Sequence, residues 1–359
     1  MPESLQNGTT MPNVVYGFIG LGNMGYGMAK NLRLSMPKNC KLLVCELNTE
    51  RRNQFVSAFG KEGGGGGPIE TAESPKEIAE KCDIIITSLP HGDAVKKVFI
   101  DPKTGLLSIS QHSQSGTGNR KFFLETSTIE VRTSNEVLEH VQKSGLGDFI
   151  DCPVSGGIPA ADQGNLTFMV GGTQELLDKA KPVLATMGKS ENIIFCGPPG
   201  AGLATKQINN YIANVSYIAL CEGMNTGINT SLPPSPSYCL ARYDCNSPKA
   251  NQAHKDVINV SSGMCWNSLH MNPVKGVQPN SSSSKDFEGG FKTELAKGVM
   301  DMTVQLMDDV GAKHVMGNVV TDVYARAVKH PRCADKECRS IYRLFSENEG
   351  KDLGNTKID

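Results

Sequence analysis

The chain has 359 residues, which at roughly 150 residues per domain is enough for two domains. Its 36 Lys and Arg residues nearly balance 37 Asp and Glu residues, so the net charge of -1 gives no broad basic surface for binding nucleic acid. The 38% hydrophobic and 20% charged residues predict a soluble globular protein, and no apolar run reaches the ~18 residues of a membrane-spanning helix.

Short apolar segments alternate with helical segments in the first half of the chain. The helical spacing predicts helices over 25–34 and 51–59. Strands that alternate with helices in this way predict a parallel sheet covered on both faces. The predicted strands are 14–19, 41–45, 84–89, 122–125, 149–151, 166–170 and 193–195.

The periodicity changes after Pro199, where only helical segments remain. One begins near Ala201 and continues to about Asn225, and others cover 293–310 and 315–328. The sequence therefore predicts an α/β domain followed by an all-helical domain. The predicted divisions are a disordered tail at 1–12, the α/β domain at 13–198, the helical domain at 199–345 and a polar tail at 346–359.

Residues 229–255 do not share this helical character. Four prolines interrupt the stretch, and proline removes helix hydrogen bonds and clashes with the preceding turn. Three interpretations stay open: a surface loop, an insertion specific to one lineage, or sequence from an imperfect gene model.

Gly20, Gly22 and Gly25 form a G-x-G-x-x-G pattern directly after the first predicted strand, at the start of a predicted helix. In that context the first glycine permits a tight turn, the second lets the backbone approach a pyrophosphate, and the third lets helix and strand pack closely. The helix N-terminus then points at the negative charge. This pattern predicts a dinucleotide site.

Glu46, at the end of the second predicted strand, bears on which dinucleotide binds. A carboxylate there accepts hydrogen bonds from the ribose hydroxyls and repels a 2′-phosphate, which favours NAD. Arg51 and Arg52 lie close enough in sequence to serve a phosphate instead, although charges on such a helix are usually solvated. We therefore predict NAD as the cofactor.

A longer signature surrounds the glycine pattern. Residues 18–32, FIGLGNMGYGMAKNL, resemble the N-terminal signature of the β-hydroxyacid dehydrogenase family, and three further blocks match in the same order. The resemblance covers nearly the whole chain and implies a Rossmann-type doubly wound parallel sheet followed by an all-α domain. The cofactor contacts predicted from the motif and the resemblance are Phe18, Ile19, Gly20, Leu21, Gly22, Asn23, Met24, Gly25, Glu46, Leu89, Pro90 and Thr128.

Residues 151–157, DCPVSGG, resemble the substrate-binding block of that family. A serine followed by two glycines can direct a hydroxyl and several N–H groups at one point, which suits a carboxylate. A Gly-Gly pair by itself is more often only a turn. The resemblance implies that Ser155, Gly156 and Gly157 bind the substrate.

Residues 200–210, GAGLATKQINN, resemble the catalytic block. Lys206 and Asn210 are four residues apart and therefore share one helix face. Apolar neighbours can partly desolvate Lys206 and disfavour its ammonium form. The resemblance implies that Lys206 is the general acid/base and that Asn210 holds the substrate hydroxyl or carboxylate.

The last block begins at Ile258 and contains the only tryptophan of the chain, Trp266. The resemblance implies that it shapes a pocket for a branched 3-hydroxy acid, whereas the residue type alone would indicate core packing. The family also carries Lys-Asp-Leu on a late helix, with the lysine at the cofactor edge. Here the counterpart is Lys297, followed by Gly298 in place of the acid.

Together these matches imply NAD-dependent oxidation of 3-hydroxyisobutyrate to methylmalonate semialdehyde, in valine breakdown. The alternatives are a related NADP-dependent reductase of glyoxylate or succinic semialdehyde, and a non-catalytic dinucleotide-binding module. We expect no nucleic acid or membrane partner, no metal, buried reduced cysteines, and a homodimer or homotetramer. The resemblance implies mitochondria, but the N-terminal residues show no presequence, so the cytosol stays an alternative.

Overall fold

The structure is a computed structural model that describes residues 11–60, 66–109, 120–229 and 255–346. These residues form two compact units that divide between Lys206 and Gln207. The division lies within the first turns of a helix, slightly beyond the predicted boundary at 198/199. Residues 1–10 of the predicted N-terminal tail lie outside the described residues, whereas Met11 packs against the core of the first unit.

A nine-stranded, mostly parallel sheet forms the centre of the first unit. The strand order is β3-β2-β1-β4-β5-β6-β8-β7, and β9 pairs with β8. The strands are β1 (Tyr16–Ile19), β2 (Leu42–Cys45), β3 (Ile69–Thr71), β4 (Ile84–Thr87), β5 (Lys121–Glu125), β6 (Gly147–Asp151), β7 (Val154–Ser155), β8 (Leu166–Gly171) and β9 (Gly188–Gly197).

Side chains alternate between the two faces of this sheet. Leu42 and Val44 belong to one buried cluster, whereas Leu43 and Cys45 belong to another. Because successive strand residues point to opposite faces, both faces are covered by apolar side chains. The helices of this unit are α1 (Gly25–Ser35), α2 (Thr49–Phe59), α3 (Pro75–Lys81), α4 (Gly92–Ile100), α5 (Val131–Ser144), α6 (Gly157–Gln163) and α7 (Gln174–Leu184).

One edge of the sheet differs from the prediction of an all-parallel sheet. The strand β8 runs antiparallel to β6 and β7 and parallel to β9. Apolar runs in buried strands carry no signal for strand direction, so the sequence could not show this. The strands β3 and β7 were also not predicted, because three and two residues are too few to establish a period.

The second unit is helical, as predicted. Its first element is the long helix α8 (Ala201–Asn229), which begins in the first unit and extends slightly beyond the predicted end. Residues 230–254 of the proline-containing stretch lie outside the described residues, as do 347–359 of the polar tail. Further helices of this unit include α9 (Trp266–His270), α10 (Thr293–Asp309), α11 (Met316–Ala327) and α12 (Arg343–Ser346).

Candidate active site

The register of the parallel strands brings the predicted cofactor residues to one edge of the sheet. The last residue of β1, Ile19, pairs with Cys45 of β2 and Thr87 of β4, and Thr87 pairs with Glu125 of β5. The segments that follow these residues contain the glycine loop, Glu46, Leu89-Pro90 and Thr128. Ligands of such sheets bind beyond the carboxyl ends of the strands, so this edge is the candidate cofactor site.

The glycine loop has the geometry that a pyrophosphate site requires. Gly20 has φ of 95°, and a β-carbon there would lie 2.2 Å from the Ser88 carbonyl oxygen. A β-carbon at Gly25 would lie 2.0 Å from the Gly20 carbonyl oxygen, so helix α1 can start this close to the loop only with glycine. Gly22 instead has no atom within 4 Å of its β-carbon position, which leaves open space beside the exposed backbone. The residues therefore fit a bound dinucleotide.

Glu46 is hydrogen-bonded to the glycine loop. Its Oε2 accepts from the Leu21 N–H at 2.6 Å, and its Oε1 accepts from the Asn48 N–H at 2.8 Å. Each carboxylate oxygen keeps a further lone pair for a ribose hydroxyl. Arg51 is held nearby, with Nε donating to the Leu21 carbonyl at 3.0 Å and its guanidinium stacked 4.0 Å from the centre of the Tyr26 ring.

The loops after β4 and β5 are tied together. The Leu89 N–H donates to Ser127 Oγ at 2.8 Å, and the Thr126 hydroxyl donates to the Thr87 carbonyl at 2.7 Å. Pro90 is exposed and Thr128 is half-buried, so both remain accessible at the sheet edge.

The predicted substrate residues form an exposed turn between β7 and α6. Ser155 is half-buried, and Gly156 and Gly157 are exposed. Their φ values of 134° and 70° lie in the region that favours glycine, so two consecutive backbone units adopt a turn that other residues would strain. The turn can present N–H groups to a carboxylate.

Lys206 lies near the start of helix α8 and is 8% exposed. Burial lowers the pKa of its ammonium group to about 8. Asn210 follows one turn later on the same helix and is half-buried. A lysine whose pKa is this close to neutrality can both accept and donate a proton near physiological pH.

Lys297 and Trp266 belong to the second unit. Lys297 lies on α10 and forms an ion pair with Asp301 at 2.5 Å. Trp266 is 57% exposed and lies against His270 with ring centres 5.0 Å apart. It is therefore not packed in a core, contrary to what its residue type alone would indicate. The cofactor role of Lys297 stays a prediction.

Two buried carboxyl groups at the sheet edge were absent from the predicted site. Glu125 ends β5 and Asp151 ends β6, and both are fully buried. Burial raises the pKa of Glu125 to about 7 and also raises that of Asp151. The sequence did contain a signal for these groups, since each of the two apolar strand segments ends in an acidic residue. A carboxyl group that is buried in this way needs hydrogen-bond partners.

The described ranges contain no helix long and apolar enough to cross a membrane. Within those same ranges, no three His, Cys, Asp or Glu residues come together in a group that could hold a metal ion. Each cysteine that the structure describes is a free thiol, and most of them are buried.

Comparison with known proteins gives relatives that span nearly the whole chain. Residues 15–197 match the family described as the NAD binding domain of 6-phosphogluconate dehydrogenase. The mouse protein named "3-hydroxyisobutyrate dehydrogenase, mitochondrial" is 34% identical over 333 residues, which cover 93% of this chain and 87% of the mouse protein. The Drosophila melanogaster protein of the same name is 31% identical over 333 residues, 93% of this chain and 90% of that protein.

Solved structures show the same similarity. A structure of Mycobacterium tuberculosis 3-hydroxyisobutyrate dehydrogenase with L-serine has a TM-score of 0.75 and 26% identity, and the match covers 94% of this chain and all of that one. A Salmonella typhimurium structure described as a 3-hydroxyisobutyrate dehydrogenase has a TM-score of 0.68 and 19% identity, and the match covers 92% of this chain and 99% of that one. At this low identity, the second match supports the fold alone.

The parallel sheet, the glycine loop and the matched domain define an NAD-binding oxidoreductase. Among such enzymes, the chain belongs to the 3-hydroxyisobutyrate dehydrogenase family. The family resemblance and the two-part fold predicted from the sequence are thereby confirmed.

Proposed function

We propose that this protein oxidises 3-hydroxyisobutyrate to methylmalonate semialdehyde with NAD, a step of valine breakdown, and that Lys206 is its general acid/base. The observation that carries the proposal is the buried Lys206, whose pKa of about 8 suits proton transfer. It lies in a chain whose mouse and fly relatives carry the name of that activity.

In this mechanism the turn at Ser155, Gly156 and Gly157 binds the substrate carboxylate. Asn210 holds the hydroxyl group beside Lys206. In oxidation the neutral Nζ of Lys206 accepts the hydroxyl proton as the C–O bond becomes a carbonyl, and in reduction the ammonium form returns that proton. When bound, the nicotinamide supplies the acceptor for the hydride that leaves the substrate carbon.

The lowered pKa of Lys206 has a direct consequence for the rate of oxidation. At pH 7 a lysine of ordinary pKa 10.5 is almost entirely protonated, whereas a pKa of about 8 leaves roughly a tenth of the groups neutral. The fraction available as a base therefore rises roughly 300-fold. Burial accounts for this gain, since it destabilises the charged form.

The cofactor residues support the same function. Glu46, which accepts from the N–H groups of Leu21 in the glycine loop and of Asn48, would bind the ribose hydroxyls of NAD. Lys297, which pairs with Asp301, is kept as a proposed cofactor contact from the family resemblance.

Assembly and location belong to the same proposal. We infer a homodimer or homotetramer, and a mitochondrial location because the mouse and fly relatives are named mitochondrial. Size-exclusion chromatography with light scattering tests the assembly, and fractionation of cells that express the protein tests the location.

A substrate and cofactor panel tests the function. Purified protein is mixed with NAD or NADP and with 3-hydroxyisobutyrate, and the absorbance of the reduced cofactor is followed; glyoxylate and succinic semialdehyde are offered with NADH or NADPH. We expect the highest kcat/KM for 3-hydroxyisobutyrate with NAD. A preference for glyoxylate or succinic semialdehyde with NADPH would instead support a related reductase, and NAD binding without turnover on any substrate would support a non-catalytic module.

A further inference from the structure

The buried carboxyl groups of Glu125 and Asp151 have no role in the mechanism above. Glu125 is the last residue of β5 and Asp151 is the last residue of the neighbouring strand β6, and the two residues pair with each other across the sheet. Both side chains are fully buried. Because an uncompensated carboxylate in the protein interior is costly, each of these groups must be compensated by its surroundings.

Asp151 is bound to the start of the helix that carries Lys206. Its Oδ1 accepts from the Gly200 N–H at 2.7 Å, and its Oδ2 accepts from the Leu203 N–H at 2.9 Å. The first N–H groups of a helix have no partners within the helix, and a carboxylate there also offsets the positive end of the helix dipole. Lys206 lies one turn beyond Leu203, so this bond fixes the turn that places Nζ.

Two glycines make room for the Asp151 carboxylate. A β-carbon at Gly171 would lie 2.4 Å from Oδ1 and 2.7 Å from Oδ2 of Asp151. A β-carbon at Gly202 would lie 2.8 Å from Oδ2 and 2.3 Å from the Met169 carbonyl oxygen. The backbone thus encloses the carboxylate tightly on both sides, and the helix start is held at a single position relative to strands β6 and β8.

The two carboxyl groups differ in the hydrogen-bond donors that surround them. Burial raises the pKa of both groups, but the N–H groups of Gly200 and Leu203 counteract this effect at Asp151. At Glu125 the Ser127 N–H donates at 2.6 Å, and burial raises the pKa to about 7 against the effect of hydrogen bonds from Ser127 and Thr87. Glu125 therefore keeps its proton up to about pH 7, and the Asp151 carboxyl group is the acceptor for the N–H groups at the start of the helix.

We propose that Asp151 is a positioning residue of the reaction, whose carboxylate fixes the first turn of α8 on the sheet and thereby places Lys206 for proton transfer. This inference rests on the proposed function, since it requires Lys206 to be the acid/base. Displacement of a reacting group by about 1 Å can lower a rate roughly 10²-fold, so a residue that only holds the helix start can control turnover.

Two variants disturb Asp151 by different routes. Asp151→Asn keeps the shape but replaces one acceptor with an NH₂ group that faces an N–H donor. Gly171→Ala keeps Asp151 and displaces its carboxylate, because the three nearest atoms to the new β-carbon all belong to that carboxyl group. We expect each variant to lower kcat roughly 10²-fold with little change in the KM for NAD. The control is Thr173→Ala, which removes the cap of α7, a bond from the Leu176 N–H to the Thr173 hydroxyl, and should lower Tm but not kcat.

A double-mutant cycle separates positioning from a general structural role. If Asp151 acts through Lys206, Asp151→Asn should lower the residual turnover of Lys206→Ala by less than about threefold, because nothing is left to position. If Asp151→Asn lowers kcat by the same roughly 10²-fold in wild type and in Lys206→Ala, the inference is overturned. Wild-type kcat in both Asp151→Asn and Gly171→Ala would overturn it as well. Wild-type turnover in Lys206→Ala itself would overturn the acid/base role in the proposed function, which is a separate result.

Discussion

At the scale of single residues, burial shifts the pKa values of two groups of the first unit in opposite directions. It lowers the pKa of Lys206 to about 8 and raises that of Glu125 to about 7, because it destabilises the charged form in both cases. Both pKa values therefore lie near neutral pH, that of Lys206 lowered from the ordinary value of a lysine and that of Glu125 raised from the ordinary value of a glutamate. The consequences differ, since we assign chemistry to Lys206 and an uncharged structural state to Glu125.

Cofactor preference is the first residue-scale prediction. Glu46→Gln keeps an acceptor for the Leu21 N–H but removes the negative charge that would face a 2′-phosphate. We expect the preference for NAD over NADP, measured as a ratio of kcat/KM values, to fall at least about tenfold, equivalent to about 1.4 kcal/mol. Glu50→Gln, a similar change on the exposed first turn of α2, is the control. An unchanged ratio in both Glu46→Gln and Glu46→Ala would remove Glu46 from cofactor discrimination.

The pH dependence of stability is the second prediction. Glu125 loses its proton near pH 4.5 when exposed and near pH 7 when folded, so between these values the folded state holds a proton that the unfolded state releases. Stability from this group is therefore present at low pH and is lost as the pH rises through about 7. Glu125→Gln cannot titrate at this position, so its free energy of unfolding does not fall with that of wild type. Relative to wild type, its free energy of unfolding should rise by roughly 3 kcal/mol between about pH 4 and pH 8.

Urea unfolding of both proteins at the two pH values measures this difference. Glu139→Gln, on the exposed face of α5, should leave the difference unchanged. If the difference in free energy of unfolding between wild type and Glu125→Gln is the same at both pH values, Glu125 is not protonated in the folded protein.

At the scale of elements, helix α1 combines cofactor binding with close packing. A β-carbon at Gly27 would lie 2.8 Å from the backbone of Ala161 and Asp162 in α6. The Asn31 amide also donates to the carbonyls of Gly27 and Ala161 at 2.9 and 2.7 Å. The helix that begins at the glycine loop is thus joined directly to the helix that begins at Gly157.

Two glycine substitutions in this segment should have opposite effects. Gly27→Ala should lower the free energy of unfolding by roughly 1–3 kcal/mol, because backbone atoms of α6 would have to move. Gly22→Ala meets no neighbouring atom and should preserve stability, but it should weaken NAD binding by occupying space at the loop. Calorimetric Tm and NAD titration measure the two effects. Equal loss of stability in both variants, or unchanged NAD affinity in Gly22→Ala, would contradict this assignment.

The elements also show what sequence patterns can predict. Buried strands such as β1 and β4 were predicted because an uninterrupted apolar run of this length, bounded by turn residues, is typical of a buried strand. The antiparallel pairing of β8 with β6 was not, because direction depends on the connection through β7 and α6 rather than on the strand residues.

At the scale of the whole molecule, the two-part architecture and the family were predictable from ordered motifs. The glycine loop was recognisable because a strand precedes it and a helix follows it. Asp151 is the first residue of the DCPVSGG motif, yet its role depends on N–H groups of residues 200 and 203, which only the fold brings to it. The roles of residues 229–255 and of Lys297 stay predictions from the sequence.

The central claim is that the buried Lys206 exchanges the substrate proton, as a base in oxidation and as an acid in reduction. The measurement that tests it most directly is the pH dependence of kcat/KM in both directions, for wild type, Lys206→Ala and the exposed control Lys181→Ala. In wild type and the control, oxidation should rise about tenfold per pH unit up to a pKa of about 8, because the base must be neutral, and reduction should fall above that value, because the acid must be protonated. Lys206→Ala should lose roughly 10²–10⁴-fold in kcat and lack both limbs, with NAD binding little changed. Persistence of the same two limbs in Lys206→Ala, or turnover near wild type, would contradict the account.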